Sequence, residues 1–203
     1  MELVRRRPRE ALAPYVRELV GWRDDGGSVV VRREPPGDLV PLIINFGSPV
    51  RIFADEQCRR FEEVGSFTTG LYDRCAIVGT APGSGGLQVN LTVAGARLWL
   101  GQPLGPLVNR AVSLDALFGR MADDLASRLH DTTGWPARFD LVEELLQHRI
   151  ASVRPPSPLV MRALRQLRRS GGQVPIATLV REAGCSQKHL VAQFRDELGV
   201  TPK

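Results

Sequence analysis

Cysteine is scarce and scattered in this chain of 203 residues: Cys58, Cys75 and Cys185 form no C-x-x-C pair and are odd in number. Neither a disulfide framework nor a cysteine zinc site is expected. Histidine is scarcer still where it would matter. His130, His148 and His189 all lie in the later, helix-patterned part, so a His-based metal centre among the strands is not expected. Long apolar runs are missing too. No stretch approaches the ~18 residues of a membrane span, and Met1-Glu2-Leu3-Val4-Arg5-Arg6-Arg7-Pro8 has no apolar segment behind its basic residues. No membrane partner and no secretory leader are expected, and the cytoplasm is the expected compartment. The sequence carries no G-x-S-x-G, no P-loop and no dinucleotide-binding glycine fingerprint. Gly83-Ser84-Gly85-Gly86 has the composition of a phosphate loop but lacks the following Lys and helix, so it reads as a turn. Enzyme activity, a cofactor and a bound metal are therefore not expected.

What the chain does have is an uneven charge. Residues 154–203 hold nine Lys/Arg against three Asp/Glu, whereas residues 1–153 hold eighteen against nineteen. A basic segment on a neutral body points to a polyanion partner, although a solvated helix face accounts for charge alone equally well. Arginine outnumbers lysine 25 to 2, a bias that GC-rich codons produce without any function, so the position of the surplus is the informative part.

A natural boundary lies at Ser152-Val153-Arg154-Pro155-Pro156-Ser157-Pro158, where three prolines favour an extended connector. Residues 1–151 are expected to form one β-rich domain, residues 152–158 a linker, and residues 159–203 a small helical unit. Within the first part, Leu12, Tyr15, Val16 and Leu19 follow helical spacing and predict a helix over residues 9–20. Short β-rich runs follow at 28–33, 39–46, 50–54, 64–71, 76–80 and 87–93, separated by Gly, Pro and Asp turns. Two amphipathic helices are predicted over 118–129 and 138–150. The expected fold class is α+β: an antiparallel β-barrel or sandwich with a helix pair, followed by an all-α subdomain.

In the last part, Leu159, Val160, Ala163, Leu164 and Leu167 mark one helix, and Ile176, Leu179, Val180 and Ala183 a second. Gly184 suits a left-handed C-cap, and Ser186 stands where an N-cap belongs. The third helix, over 187–198, puts Leu190, Phe194 and Leu198 on one stripe. Helix, tight Gly turn and Ser-capped helix form the helix-turn-helix pattern, with plain three-helix packing as the alternative. The side opposite the stripe carries Lys188, Ala192 and Arg195, with Val191 on its flank. Ser186 and Gln187 stand at the helix start, where backbone N–H groups favour phosphate. Ser186, Gln187, Lys188, Val191, Ala192 and Arg195 are thus the candidate DNA-binding residues. His189 falls to the side, where packing is favoured over contact with DNA.

Residues 183–202 resemble the first helix-turn-helix of AraC/XylS-type transcription regulators. In the pattern G-x-S-x-x-x-L-x-R-x-F-[KR]-x-x-x-G-x-[ST]-P they match at Gly184, Ser186, Leu190, Phe194, Arg195, Gly199, Thr201 and Pro202. Ala192 replaces a frequent Arg, and Val180 replaces a usual Ala. The resemblance extends, less specifically, to residues 36–46, the strand at Gly70, residues 93–101 and residues 114–119. It implies that double-stranded DNA is a partner and that the β-rich domain binds a small organic effector, forms a homodimer, or both; the second helix-turn-helix that family members carry is absent from these 203 residues. The alternative is a small-molecule-binding β-barrel protein or an enzyme whose helical appendage does not bind DNA. Trp22, Trp99, Trp135 and Tyr72 either line an effector pocket or fill the core. Asn45, Gln88 and Asn90 either point into a barrel or lie on an exposed strand face. Leu125, Leu129, Leu145 and Leu146 either form an intersubunit seam or cover the strands of their own chain.

Overall fold

Apolar and polar residues alternate strictly from Leu87 to Val93, and most of this segment forms the centre of the molecule. A computed structural model describes residues 1–202, and in it strand β9 (Ser84–Thr92) lies between β2 (Val16–Asp24) and β4 (Leu39–Asn45). Its residues Leu87, Val89 and Leu91 point into the main core, as period-two geometry requires. The same sheet adds β1 (Glu2–Arg6), β7 (Phe67–Thr69) and β10 (Ala111–Ser113), in the order β1-β2-β9-β4-β7-β10. A second sheet has the order β3-β8-β5-β6, from β3 (Val30–Glu34), β5 (Val50–Phe53), β6 (Phe61–Val64) and β8 (Ala76–Thr80). All pairings are antiparallel. Both sheets keep free edges, so the class is α+β and there is no closed barrel. The sheets meet through a small cluster in which Ile43 and Phe67 of one pack on Val50 and Val64 of the other.

Helices cover the opposite face of the six-stranded sheet. They are α1 (Val93–Leu100), α2 (Leu114–Phe118), α3 (Arg120–Asp131) and α4 (Trp135–Ser152). Leu125 and Leu129 of α3, and Trp135, Phe139, Val142 and Leu146 of α4, join the strand leucines in one core, with Leu145 packed at its margin. These leucines therefore cover the strands in cis. Arg138 ties the helix pair together by donating from Nε to the Leu129 carbonyl at 2.9 Å.

The expected helix over residues 9–20 is not there. A 3-10 turn at Glu10–Leu12 leads directly into β2. The register of β2 on β9 shifts between Val16 and Glu18. Such an irregularity lets two residues three apart face the same side, and Val16 and Leu19 are both buried in the core. A bulged strand thus imitated helical spacing. Other elements differ as well. The run expected at 64–71 is two strands, because the chain crosses between sheets at Gly65-Ser66. The helix expected from 118 is broken at Gly119, whose φ of 58° is left-handed. Helix α1 was not predicted as a helix; its residues are apolar almost all round, and such a helix has no polar stripe to announce it.

A compact linkage of residues 4–9 to α4 completes this part. Arg6 and Arg9 both reach Asp140, at 2.7 and 2.8 Å, and both reach the fully buried Glu143, at 2.9 and 3.3 Å. Glu143 also accepts the backbone N–H of Arg9 at 2.6 Å. The two guanidinium groups hold the Asp140 carboxyl below its ordinary pKa.

Candidate nucleic-acid interface

Three helices follow α4: α5 (Pro158–Arg169), α6 (Ile176–Ala183) and α7 (Gln187–Leu198). Each start and stop has a local cause. Ser157 caps α5, its Oγ accepting from Val160 N at 3.3 Å, with Pro158 in the first turn. Gly184 ends α6 in the left-handed conformation, φ 63° and ψ 32°. Ser186 caps α7, its Oγ accepting from His189 N at 3.2 Å. The helices close on one another through Val160, Ala163, Leu179, Leu190, Phe194 and Leu198.

That packing fixes which way α7 faces. With Leu190, Phe194 and Leu198 turned inward, its outer side forms an open groove of about 470 Å³ lined by Gln187, Lys188, Val191, Ala192 and Arg195. Five of the six residues expected to meet DNA thus share one open face of α7. The sixth, Ser186, stands at the helix start with its acceptor committed to the cap. Gln187, Lys188, Ala192 and Arg195 are exposed, and Val191 is half-buried. His189, which was expected to pack, is exposed instead.

The ion pairs are unevenly distributed. Among the described residues, every ion pair lies within residues 1–143. Lys188 and Arg195 therefore keep their charge free of carboxylate partners, which favours phosphate.

The far end of α7 is held both by the start of α5 and by the β-rich part, a feature the sequence reading did not anticipate. Glu197 accepts twice: its Oε2 takes the backbone N–H of Ser157 at 2.8 Å, and its carbonyl takes Leu104 N at 3.4 Å. Gly199, at φ 74°, lies so close to Gly105 that an added Cβ would collide with the Gly105 backbone. Val93 and Val200 pack against both hydrophobic cores at once. Glu197 matches no position of the helix-turn-helix pattern, so only tertiary geometry reveals its role.

The candidate effector residues go elsewhere. Trp99 and Trp135 are buried in the main core; Trp22 packs beside the small cluster between the sheets; Tyr72 is half-buried, and burial raises its pKa. Gln88, Asn90 and Glu18 form a hydrogen-bonded row across β9 and β2, continued by the Glu18–Arg5 ion pair. Asn45 braces the turn after β4, its Oδ1 accepting from Gly47 N and its Nδ2 donating to the Ser48 carbonyl. Among the described residues there is no helix long and apolar enough to cross a membrane and no cluster of potential metal ligands.

No family model and no curated protein matches the chain. Among solved structures, it is similar to the AraC-like transcriptional activator CuxR, with 19% identity over 95% of this chain and 80% of that one, at a TM-score of 0.33. It is also similar to ToxT from Vibrio cholerae O395, with 9% identity over 90% of this chain and 75% of that one, at a TM-score of 0.41. A structure of apo ToxT from Vibrio cholerae strain SCE256 gives 12% identity, coverage of 97% and 78%, and a TM-score of 0.44.

Proposed function

We propose that this chain is part of a DNA-binding transcription regulator of AraC/XylS type. In this reading residues 159–203 are the first helix-turn-helix, and residues 1–151 form the sensory or dimerising domain. One observation carries the proposal: the groove on the outer face of α7 gathers Gln187, Lys188, Val191, Ala192 and Arg195 on a helix whose inner face and caps fit the pattern. Lys188 and Arg195 supply charge for phosphate neutralisation, while Gln187 lies at the positive end of the helix dipole. Val191 and Ala192 offer apolar surface that suits a thymine methyl group in the major groove. The helix supplies affinity and modest specificity, and a second reading unit supplies the remainder. The free edges of the sheets and the leucine-filled core do not favour a barrel around a ligand, so an effector of residues 1–151 would bind outside that core.

The test is a salt titration of the chain on a fluorescent 30-base-pair duplex of mixed sequence. Affinity should fall steeply with salt. Replacing Lys188 and Arg195 by Ala should lower the slope of log K against log salt by about 2. An unchanged slope in a folded double variant would overturn this assignment of the reading face. Light scattering tests the homodimer: a 22.3 kDa species alone at tens of micromolar would overturn it.

A further inference from the structure

Only two of the basic residues after position 153 lie in the α7 groove, Lys188 and Arg195. The largest group is on α5, whose segment Pro158–Arg169 carries Arg162, Arg165, Arg168 and Arg169 and no Asp or Glu. At 100° per residue the four arginines occupy an arc of about 120°. The helix buries the opposite side: Val160 and Ala163 are in the core, with Leu159, Leu164 and Leu167 packed against it. All four arginines are exposed, and none makes an ion pair among the described residues. Gln166 binds Glu182 of α6, and that is where the acidic side chain nearest in sequence after α5 is engaged.

Local helix chemistry explains part of this arrangement. Arg168 and Arg169 lie in the last turn of α5, where a cation complements the helix dipole. Arg162 and Arg165 are mid-helix and have no such role. They sit at i and i+3 to one another, and Arg165 sits at i and i+4 to Arg169, so these like charges repel. An all-arginine face without counter-charges costs the folded chain some stability and matches a partner that presents closely spaced anions. The planar guanidinium suits phosphate oxygens, which it can grip with two parallel hydrogen bonds.

We infer that the outer face of α5 is a second phosphate-contacting surface for duplex DNA, built from Arg162, Arg165, Arg168 and Arg169 and separate from the α7 groove. It rests in part on the proposed function, because it takes DNA as the polyanion. The surface is a row of arginines whose neighbouring amide, Gln166, is engaged by Glu182, so it contributes affinity with little sequence preference.

The experiment compares three forms of the full chain on the mixed-sequence 30-base-pair duplex from 50 to 200 mM salt. They are the parent, the α7 variant Lys188→Ala/Arg195→Ala, and an α5 variant with all four arginines changed to Gln. Gln keeps the helix propensity of Arg, and circular dichroism checks the fold; a double variant, Arg162→Gln/Arg165→Gln, serves if the fourfold change unfolds. The α5 variant should lower the salt slope by about 3.6 when all four arginines meet phosphate, and the double variant by about 1.8. A folded α5 variant with the parental slope overturns the inference, and if the α7 variant then shows its own loss, the proposed function stands without it. A drop confined to the α5 variant supports the phosphate surface and overturns α7 as the reader. No binding by the parent at 50 mM overturns both. Parental DNA binding by the α5 variant combined with loss of an acidic protein partner assigns the face to that partner and overturns DNA as its occupant.

Discussion

The two ends of the chain use arginine in opposite ways. Near the N-terminus, Arg6 and Arg9 are drawn into a shared cluster with Asp140 and the fully buried Glu143, and they bind residues 4–9 to α4 across more than 130 positions of sequence. After residue 153, the described arginines make no ion pair at all, and those on α5 and α7 stand on exposed helix faces. Charge that holds the fold together is neutralised within the chain, here around the buried Glu143. Charge kept for a polyanion has to stay hydrated and unpaired until the partner arrives. Composition alone does not separate these uses, since both draw on the same residue type. The position of the carboxylates separates them.

The largest effect should come from breaking the neutralised end. Glu143→Ala removes a buried carboxylate that serves two guanidinium groups and one backbone N–H. The cost should be about 3 kcal/mol, the low end for a broken buried pair because both arginines remain partly exposed to water. In a domain of this size that lowers Tm by about 6–12 °C in calorimetry. A shift under about 1 °C would mean that the cluster is not what secures the N-terminal segment.

Next in size is the seam between the two regions. Gly199→Ala places a Cβ where the Gly105 backbone lies and also forces a non-glycine residue to φ 74°. Strain and displacement together should cost about 1–3 kcal/mol. Hydrogen exchange should localise the loosening to α7 and the segment around Leu104, whose N–H is held by the Glu197 carbonyl. Protection unchanged there would show that the helical unit does not depend on its contact with the β-rich part.

Much of the helical unit was legible in the sequence and much of its mounting was not. Gly184, Ser186 and the stripe of Leu190, Phe194 and Leu198 encode local geometry, so α7 and its outer face could be read directly, and its bounds fall at 187–198 as expected. The anchoring by Glu197 and Gly199 depends on residues almost a hundred positions away, and no local period carries that information. The strands show the same division. Residues 76–80 form a short β-rich run bounded by turn signals and are found as read, whereas residues 9–20 misled because a register shift in β2 reproduces helical spacing. Strand β1 had no signal, since it is a short edge strand with mostly exposed charged side chains.

A smaller effect is expected from acid. Arg6 and Arg9 lower the pKa of Asp140 from its ordinary value of 3.8, while Glu143 and Glu144 stand nearby. A carboxylate whose pKa is depressed by folding contributes stability above its unfolded value, and that contribution is lost as pH falls through the folded one. Lowering pH from about 5 towards 3 should therefore destabilise the parent more than Asp140→Asn. Equal slopes of Tm against pH for the two proteins would remove Asp140 from the linkage.

The smallest effect should have the opposite sign. Arg165 on α5 has Arg162 three residues before it and Arg168 and Arg169 three and four residues after it, and none of these has a carboxylate partner among the described residues. Like charges at these spacings each cost about 0.2–0.5 kcal/mol on an exposed helix. Arg165→Gln keeps helix propensity and removes the central charge, so the variant should be more stable than the parent by a few tenths of a kcal/mol in dilute buffer. The gain must also be salt-dependent. At 1 M ionic strength the screening length is about 3 Å, shorter than the separation of neighbouring side chains, and the two proteins should melt together. Paired Tm measurements in low and high salt read this difference directly. A destabilised Arg165→Gln at low salt would mean that Arg165 has a stabilising partner within the fold, and the contrast between the neutralised and the unpaired end would fail at that residue.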